Sequence, residues 1–154
     1  METPTPDTSA PMRVSMKIIW ATMLGSQVIL LHVLKNYPSI VDVGAPAGSP
    51  SSPISNAQIL PFYAVALVDV AASFIVPRML YRSLLKQGTK FPIYTPYIVR
   101  LALTEAIGLL GFVAGTMMTS FTVAIPFFVV SILLYLKMFP SDSRFREWNE
   151  SKNF

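Results

Sequence analysis

The sequence predicts an all-α membrane protein with four transmembrane helices, both termini cytoplasmic and a central antiparallel helical hairpin. Three observations carry that prediction. Of the 154 residues, 53% are hydrophobic and 13% are charged, against about 25% charged in an average soluble domain. Apolar runs recur four times, at about 18–34, 59–76, 97–118 and 121–139, each close to the ~20 residues that a ~30 Å hydrocarbon core requires. The third observation is the placement of the bases. The amino-terminal segment, residues 78–100 and the carboxy-terminal segment hold 11 of the 12 Lys and Arg, while the other two loops hold only Lys35. The positive-inside rule then puts both termini in the cytoplasm. One helix more or fewer would strand a basic segment on the wrong side.

Taken in order, residues 1–15 form a tail rich in Pro, Thr and Ser, too poor in apolar surface to offset its ordering entropy and therefore expected to be disordered. The transmembrane domain spans 16–140, with helices at about 16–35, 59–77, 97–118 and 121–139. The first follows Arg13 and Lys17 and ends at Lys35; its run exceeds a signal-peptide core of about 7 to 15 residues, which favours a span. Its polar residues Gln27 and His32 read as interhelical or interfacial hydrogen bonders. Residues 36–57 are a Pro-, Ser- and Gly-rich loop without periodicity, long enough for a short interfacial piece at 40–43. The second helix tolerates Pro61 near its start and is expected to stop at Pro77. Four bases, Arg78, Arg82, Lys86 and Lys90, then form a cytoplasmic loop. A tight turn at 118–122 joins the third and fourth helices, and Pro140 closes the last. Residues 141–154 are a mixed-charge cytoplasmic tail whose Phe145 and Trp148 suit the membrane interface.

Two acids fall inside the apolar runs, Asp69 and Glu105. An acid at the bilayer centre costs about 2.5 to 3.5 kcal/mol on insertion scales, so it implies a partner, a proton or a function. Asp69 lies eight residues before Pro77 and Glu105 eight after Tyr97, which sets both about 12 Å in from the cytoplasmic ends of antiparallel neighbours. At equal depth the two carboxyls have the opportunity to share a site. Burial disfavours the charged form, and two carboxyls in one site resist ionising together, so a shared proton or bound cation is the expected state. Arg100 and Arg78 are the bases positioned to gate that site or to pair with an acid. Gly108, Gly111 and Gly115 fall within roughly 60° of arc at about 100° per residue. They form a packing stripe beside Glu105, open either to a helix of the same chain or to another copy.

Around Glu105 the run Ala102-Leu-Thr-Glu-Ala-Ile-Gly-Leu-Leu-Gly-Phe-Val resembles the acid-bearing helix of the proteolipid c subunit of rotary ATP synthases. The hairpin of a helix at 59–76, a basic loop at 78–90 and a helix at 97–118 is similar in topology, within what resembles an uncharacterised bacterial four-helix membrane protein. That resemblance implies a bacterial inner-membrane location and an ion-binding role for Glu105.

The expectation is a c-subunit-like membrane protein, an oligomeric proton- or cation-binding component. In it Glu105 loads a proton or sodium, Asp69 modulates affinity and Arg100 limits access. The alternative is a structural or accessory subunit of a membrane complex whose acid meets a partner's base. Expected partners are lipid and either further copies or a membrane complex. The net charge of +4 is explained by topology, so nucleic acid is not expected. With no cysteine and one histidine, thiolate and His-rich metal sites are excluded, and no cofactor is expected. No constellation of nucleophile, base and orienting group appears, so no enzymatic activity is expected.

Overall fold

A computed structural model of the chain describes residues 10–36, 56–88, 93–118 and 120–141. These form four helices: α1 (Ala10–Asn36), α2 (Asn56–Lys86), α3 (Tyr94–Met117) and α4 (Phe121–Lys137). Three stretches, Pro11–Asn36, Ala57–Lys86 and Tyr94–Met117, are long and apolar enough to cross a membrane, and Phe121–Lys137 is a shorter apolar helix. The chain is membrane-embedded.

Two helices extend beyond their expected bounds. α1 begins at Ala10, so residues 10–15 of the expected tail are helical. Pro11 is compatible with a first turn, where no N–H is needed. Met12 and Met16 then follow at helical spacing and join the same apolar cluster, with Met16 fully buried. α2 runs through Pro77 to Lys86, taking into the helix most of what the sequence suggests is a loop. A proline removes one backbone donor, and here a buried Tyr81 anchors the continuation in the same cluster as Met16. The helix ends at Lys86, and Gly88 takes the left-handed φ of 69° there, a conformation glycine adopts without steric cost. The expected interfacial piece at 40–43 and the aromatic residues Phe145 and Trp148 lie outside the described residues.

α3 is the hub: α1, α2 and α4 all pack against it, and α1 also packs on α4. In its most apolar window 39% of residues are buried, against 11% for α1 and for α2. Three apolar clusters make the core. One joins Met16 of α1, Tyr81 of α2, Tyr97 and Leu101 of α3, and Tyr135 of α4. A middle cluster holds Ala66, Ile107, Ala114 and Phe127, and a third holds Leu34, Ala124 and Phe128.

The glycines of α3 set how closely the neighbours approach. A Cβ at Gly111 would stand 2.5 Å from Phe127 Cβ and 3.3 Å from the Ala124 carbonyl oxygen of α4. One at Gly115 would stand 2.8 Å from Leu34 Cδ2 of α1 and 2.9 Å from Ala124 Cβ. At Gly108 the side-chain amide of Gln27 already occupies the space a methyl group would need. The stripe therefore lies against α1 and α4 of its own chain. Gly25 of α1 has nothing within 4 Å of its missing methyl. Gly111→Ala is expected to lower stability by about 1–3 kcal/mol through overpacking against atoms fixed to the α4 backbone. Gly25→Ala, which adds only helix propensity, should be neutral or stabilising by up to ~1 kcal/mol. Reversible unfolding in mild detergent measures both, and equal losses would refute this account of the stripe.

Candidate intramembrane carboxyl site

Glu105 sits in the middle of α3, one turn before Gly108 and at the edge of the glycine stripe. The missing side chain at Gly108 lets α1 come close, and α1 delivers Ser26 to the acid. Ser26 Oγ lies 2.5 Å from Glu105 Oε1. From the other side α4 delivers Tyr135, whose hydroxyl donates to Glu105 Oε2 at 2.7 Å. Distances this short are typical of hydroxyls bonded to a carboxyl group.

Each hydroxyl also has a second acceptor. Ser26 Oγ is 2.6 Å from the Met23 carbonyl oxygen, and the Tyr135 hydroxyl is 3.2 Å from the Leu101 carbonyl oxygen. The cluster thus contains four oxygen–oxygen approaches and two hydroxyl hydrogens. With an ionised carboxylate both hydroxyls can turn to Glu105. With a proton on Oε1, Glu105 donates to Ser26, Ser26 donates to Met23, and Tyr135 still donates to Oε2. Both charge states can be hydrogen-bonded without moving a backbone atom.

Tyr135 is itself held in place. Its ring is fully buried, and its carbonyl oxygen accepts from the Trp20 indole at 2.8 Å. One turn earlier on the same face of α4, Ser131 donates to the Thr104 carbonyl oxygen at 3.0 Å. Tyr97 donates to the Met138 carbonyl oxygen at 3.2 Å, tying α3 to the end of α4.

The other residues singled out in the sequence lie elsewhere. Phe74 of α2 meets Arg100 of α3, and Ala66 of α2 clusters with Ile107 of α3, so Asp69 stands level with Thr104 and Glu105. Depth is shared, but the side of α3 is not. Glu105 lies about 160° around α3 from Ile107 and about 140° from Arg100 at about 100° per residue. It faces α1 and α4, whereas α2 covers the opposite flank, and the structure does not join Asp69 to Glu105. The Asp69 carboxyl, half-buried on α2, makes no hydrogen bond or ion pair among the described residues. The Arg100 guanidinium lies 4.8 Å from the centroid of the Phe74 ring, and Lys137 approaches the same ring at 5.7 Å. Arg78 is exposed at the far end of α2. His32 is exposed near the end of α1, its carbonyl oxygen accepting from Asn36 Nδ2 at 2.8 Å. Gln27 is completely buried, and its amide, packed on Gly108, has no hydrogen-bond partner among the described residues. No group of three or more His, Cys, Asp or Glu suited to a metal occurs among the described residues.

Sequence reading did not single out Ser26 and Tyr135. A signal for Tyr135 was available: Ser131 and Tyr135 are spaced by four within an apolar run, and polar side chains on one face of a membrane helix turn inward. No such spacing marks Ser26. Comparison of the chain with protein-family models, with curated proteins and with solved structures finds no match.

Interhelical hydrogen bonds in membranes average ~0.6 kcal/mol and reach about 1.7 kcal/mol. Tyr135→Phe and Ser26→Ala are each expected to destabilise within that range. Combining Tyr135→Phe with Glu105→Ala should cost less than the sum of the two. Strict additivity in a double-mutant cycle by detergent unfolding would show that the Tyr135–Glu105 bond contributes nothing.

Proposed function

We propose that this chain is a proton- or cation-binding component of a membrane complex, with Glu105 as the exchanging carboxyl. In this reading α4 is a fourth span and both termini are cytoplasmic. The central pair α2 and α3 forms an antiparallel hairpin like that of the proteolipid c subunit, in a bacterial inner membrane. The distribution of bases supports the orientation. The cluster that unites the start of α1, the end of α2, the start of α3 and the end of α4 supports the alternation of direction.

One observation carries the functional reading: both hydroxyls that hold Glu105 have a backbone carbonyl as alternative acceptor. A carboxyl that must take and release a proton in apolar surroundings needs an environment that serves both forms. Rotation of the Ser26 and Tyr135 hydroxyls provides it. The uncharged form is served by a chain of donors running from Glu105 through Ser26 to Met23, and the charged form by two donors converging on the carboxylate. All the groups belong to one chain, so loading at Glu105 requires no neighbouring copy.

The second reading, a structural or accessory subunit, is favoured by the fact that Glu105 fastens three helices together. The two readings diverge in one experiment. Under the ion-binding reading, a hydrophobic carbodiimide modifies Glu105 in an Asp69→Asn background, which removes the other intramembrane acid, and Glu105→Gln abolishes proton flux across reconstituted vesicles. If Glu105 stays unmodified and the variant loses stability or assembly without any change in flux, the carboxyl is a structural clasp and the ion-binding reading fails.

A further inference from the structure

Asp69 poses a different problem from Glu105. It stands at mid-span on α2, where neighbouring lipid-facing side chains are apolar: Leu67 is 71% exposed and Val68 65%. Its carboxyl makes no hydrogen bond or ion pair among the described residues. Hydrocarbon supplies none either, so the group is left to take up a proton or a partner of opposite charge.

The surface around it has a definite form. Val65, Asp69, Ala72 and Val76 follow at spacings of four, three and four, which is the seam of one helix packing along another. Val65 is 48% exposed and Val76 41%, and Asp69 and Ala72 are half-buried. Viewed down α2, this seam lies on the flank away from Tyr63 and Val70, the residues turned towards α4. It borders the outer side of α3, which leaves Asp69 and Ala72 half-exposed and Val65 and Val76 open. Ala72 is small enough for close approach beside the acid.

The occupant is selected by charge. Copies of this chain packed seam to seam in the same orientation would bring Asp69 to Asp69, where the two carboxyls cannot both stay ionised without a bound cation. Among the described residues no base stands at that depth: Arg78 is nine residues on and about 180° around α2, and Arg100 and Lys137 both lie by Phe74, further along α2. A helix from a different protein with a Lys or Arg at mid-membrane meets the requirement, because pairing relieves both intramembrane charges at once.

We propose that the Val65–Asp69–Ala72–Val76 seam is a docking site for a transmembrane helix of a partner protein, with Asp69 paired to a Lys or Arg of that helix. The site is separate from Glu105, on the other flank of α3, and does not depend on proton exchange there.

The test uses the full chain, labelled with a donor fluorophore in phosphatidylcholine vesicles, and synthetic acceptor-labelled helices of Leu and Ala carrying one central residue. A central Lys should raise association about tenfold over a central Leu, since polar contacts between membrane helices are of that order. Asp69→Asn should remove the preference, and Glu105→Gln should leave it intact. With the unaltered chain, moving the Lys two turns along the synthetic helix should also remove it, a control that requires no variant to fold. Equal association of the Lys and Leu helices overturns the proposal. So does a preference that survives Asp69→Asn, or energy transfer confined to copies of the chain itself, which would make a second copy the occupant.

Discussion

The structure depends on how closely helices can approach α3. Water is absent from the hydrocarbon layer, so no large hydrophobic gain rewards helix association there, and packing and interhelical hydrogen bonds must supply it. Gly108, Gly111 and Gly115 remove the side chains that would hold α1 and α4 away. Only with those helices drawn in can side chains as short as serine reach across to α3. The hydrogen bonds at Glu105 are therefore a consequence of the glycine stripe, and an isolated α3 with the same acid would lack them.

The two acids illustrate the same rule from opposite sides. Each carries a group that hydrocarbon cannot solvate. Glu105 lies where three helices converge and receives a hydroxyl from two of them. Asp69 lies on α2, which contacts α3 along one flank and leaves most of its own span uncovered. Equal depth, which the positions along the chain suggest, says nothing about azimuth. On α3 an offset of two residues, from Glu105 to Ile107, already turns a side chain about 160° away, enough to place the acid on the flank opposite α2.

Much of the fold could be read from the sequence because the bilayer restricts it so strongly. Long apolar runs and the grouping of bases leave few arrangements, and the helix centres fall where the apolar runs are. The ends were harder, and for a physical reason. Pro77 and the bases after it look like a terminus, yet a single lost backbone bond is offset by burying Tyr81, a tertiary contact that local patterning does not reveal. The site was readable only in part. Glu105 stands out by cost alone, and the glycines beside it by spacing. Ser26 and Tyr135 are contributed by helices distant in the chain, and their roles emerge only once α1 and α4 are placed around α3.

The direction of exposure on each flank of α3 links these features. Towards α1 and α4, polar groups meet one another: Ser26 and Tyr135 meet Glu105, and Ser131 meets the Thr104 carbonyl oxygen. Towards α2, Ala66 clusters with Ile107 and the Arg100 guanidinium lies over the Phe74 ring. The hydrogen bonds that hold Glu105 thus join α1, α3 and α4. α2 contributes no side chain to that cluster, and its remaining surface, acid included, is left to face the membrane and whatever helix shares it.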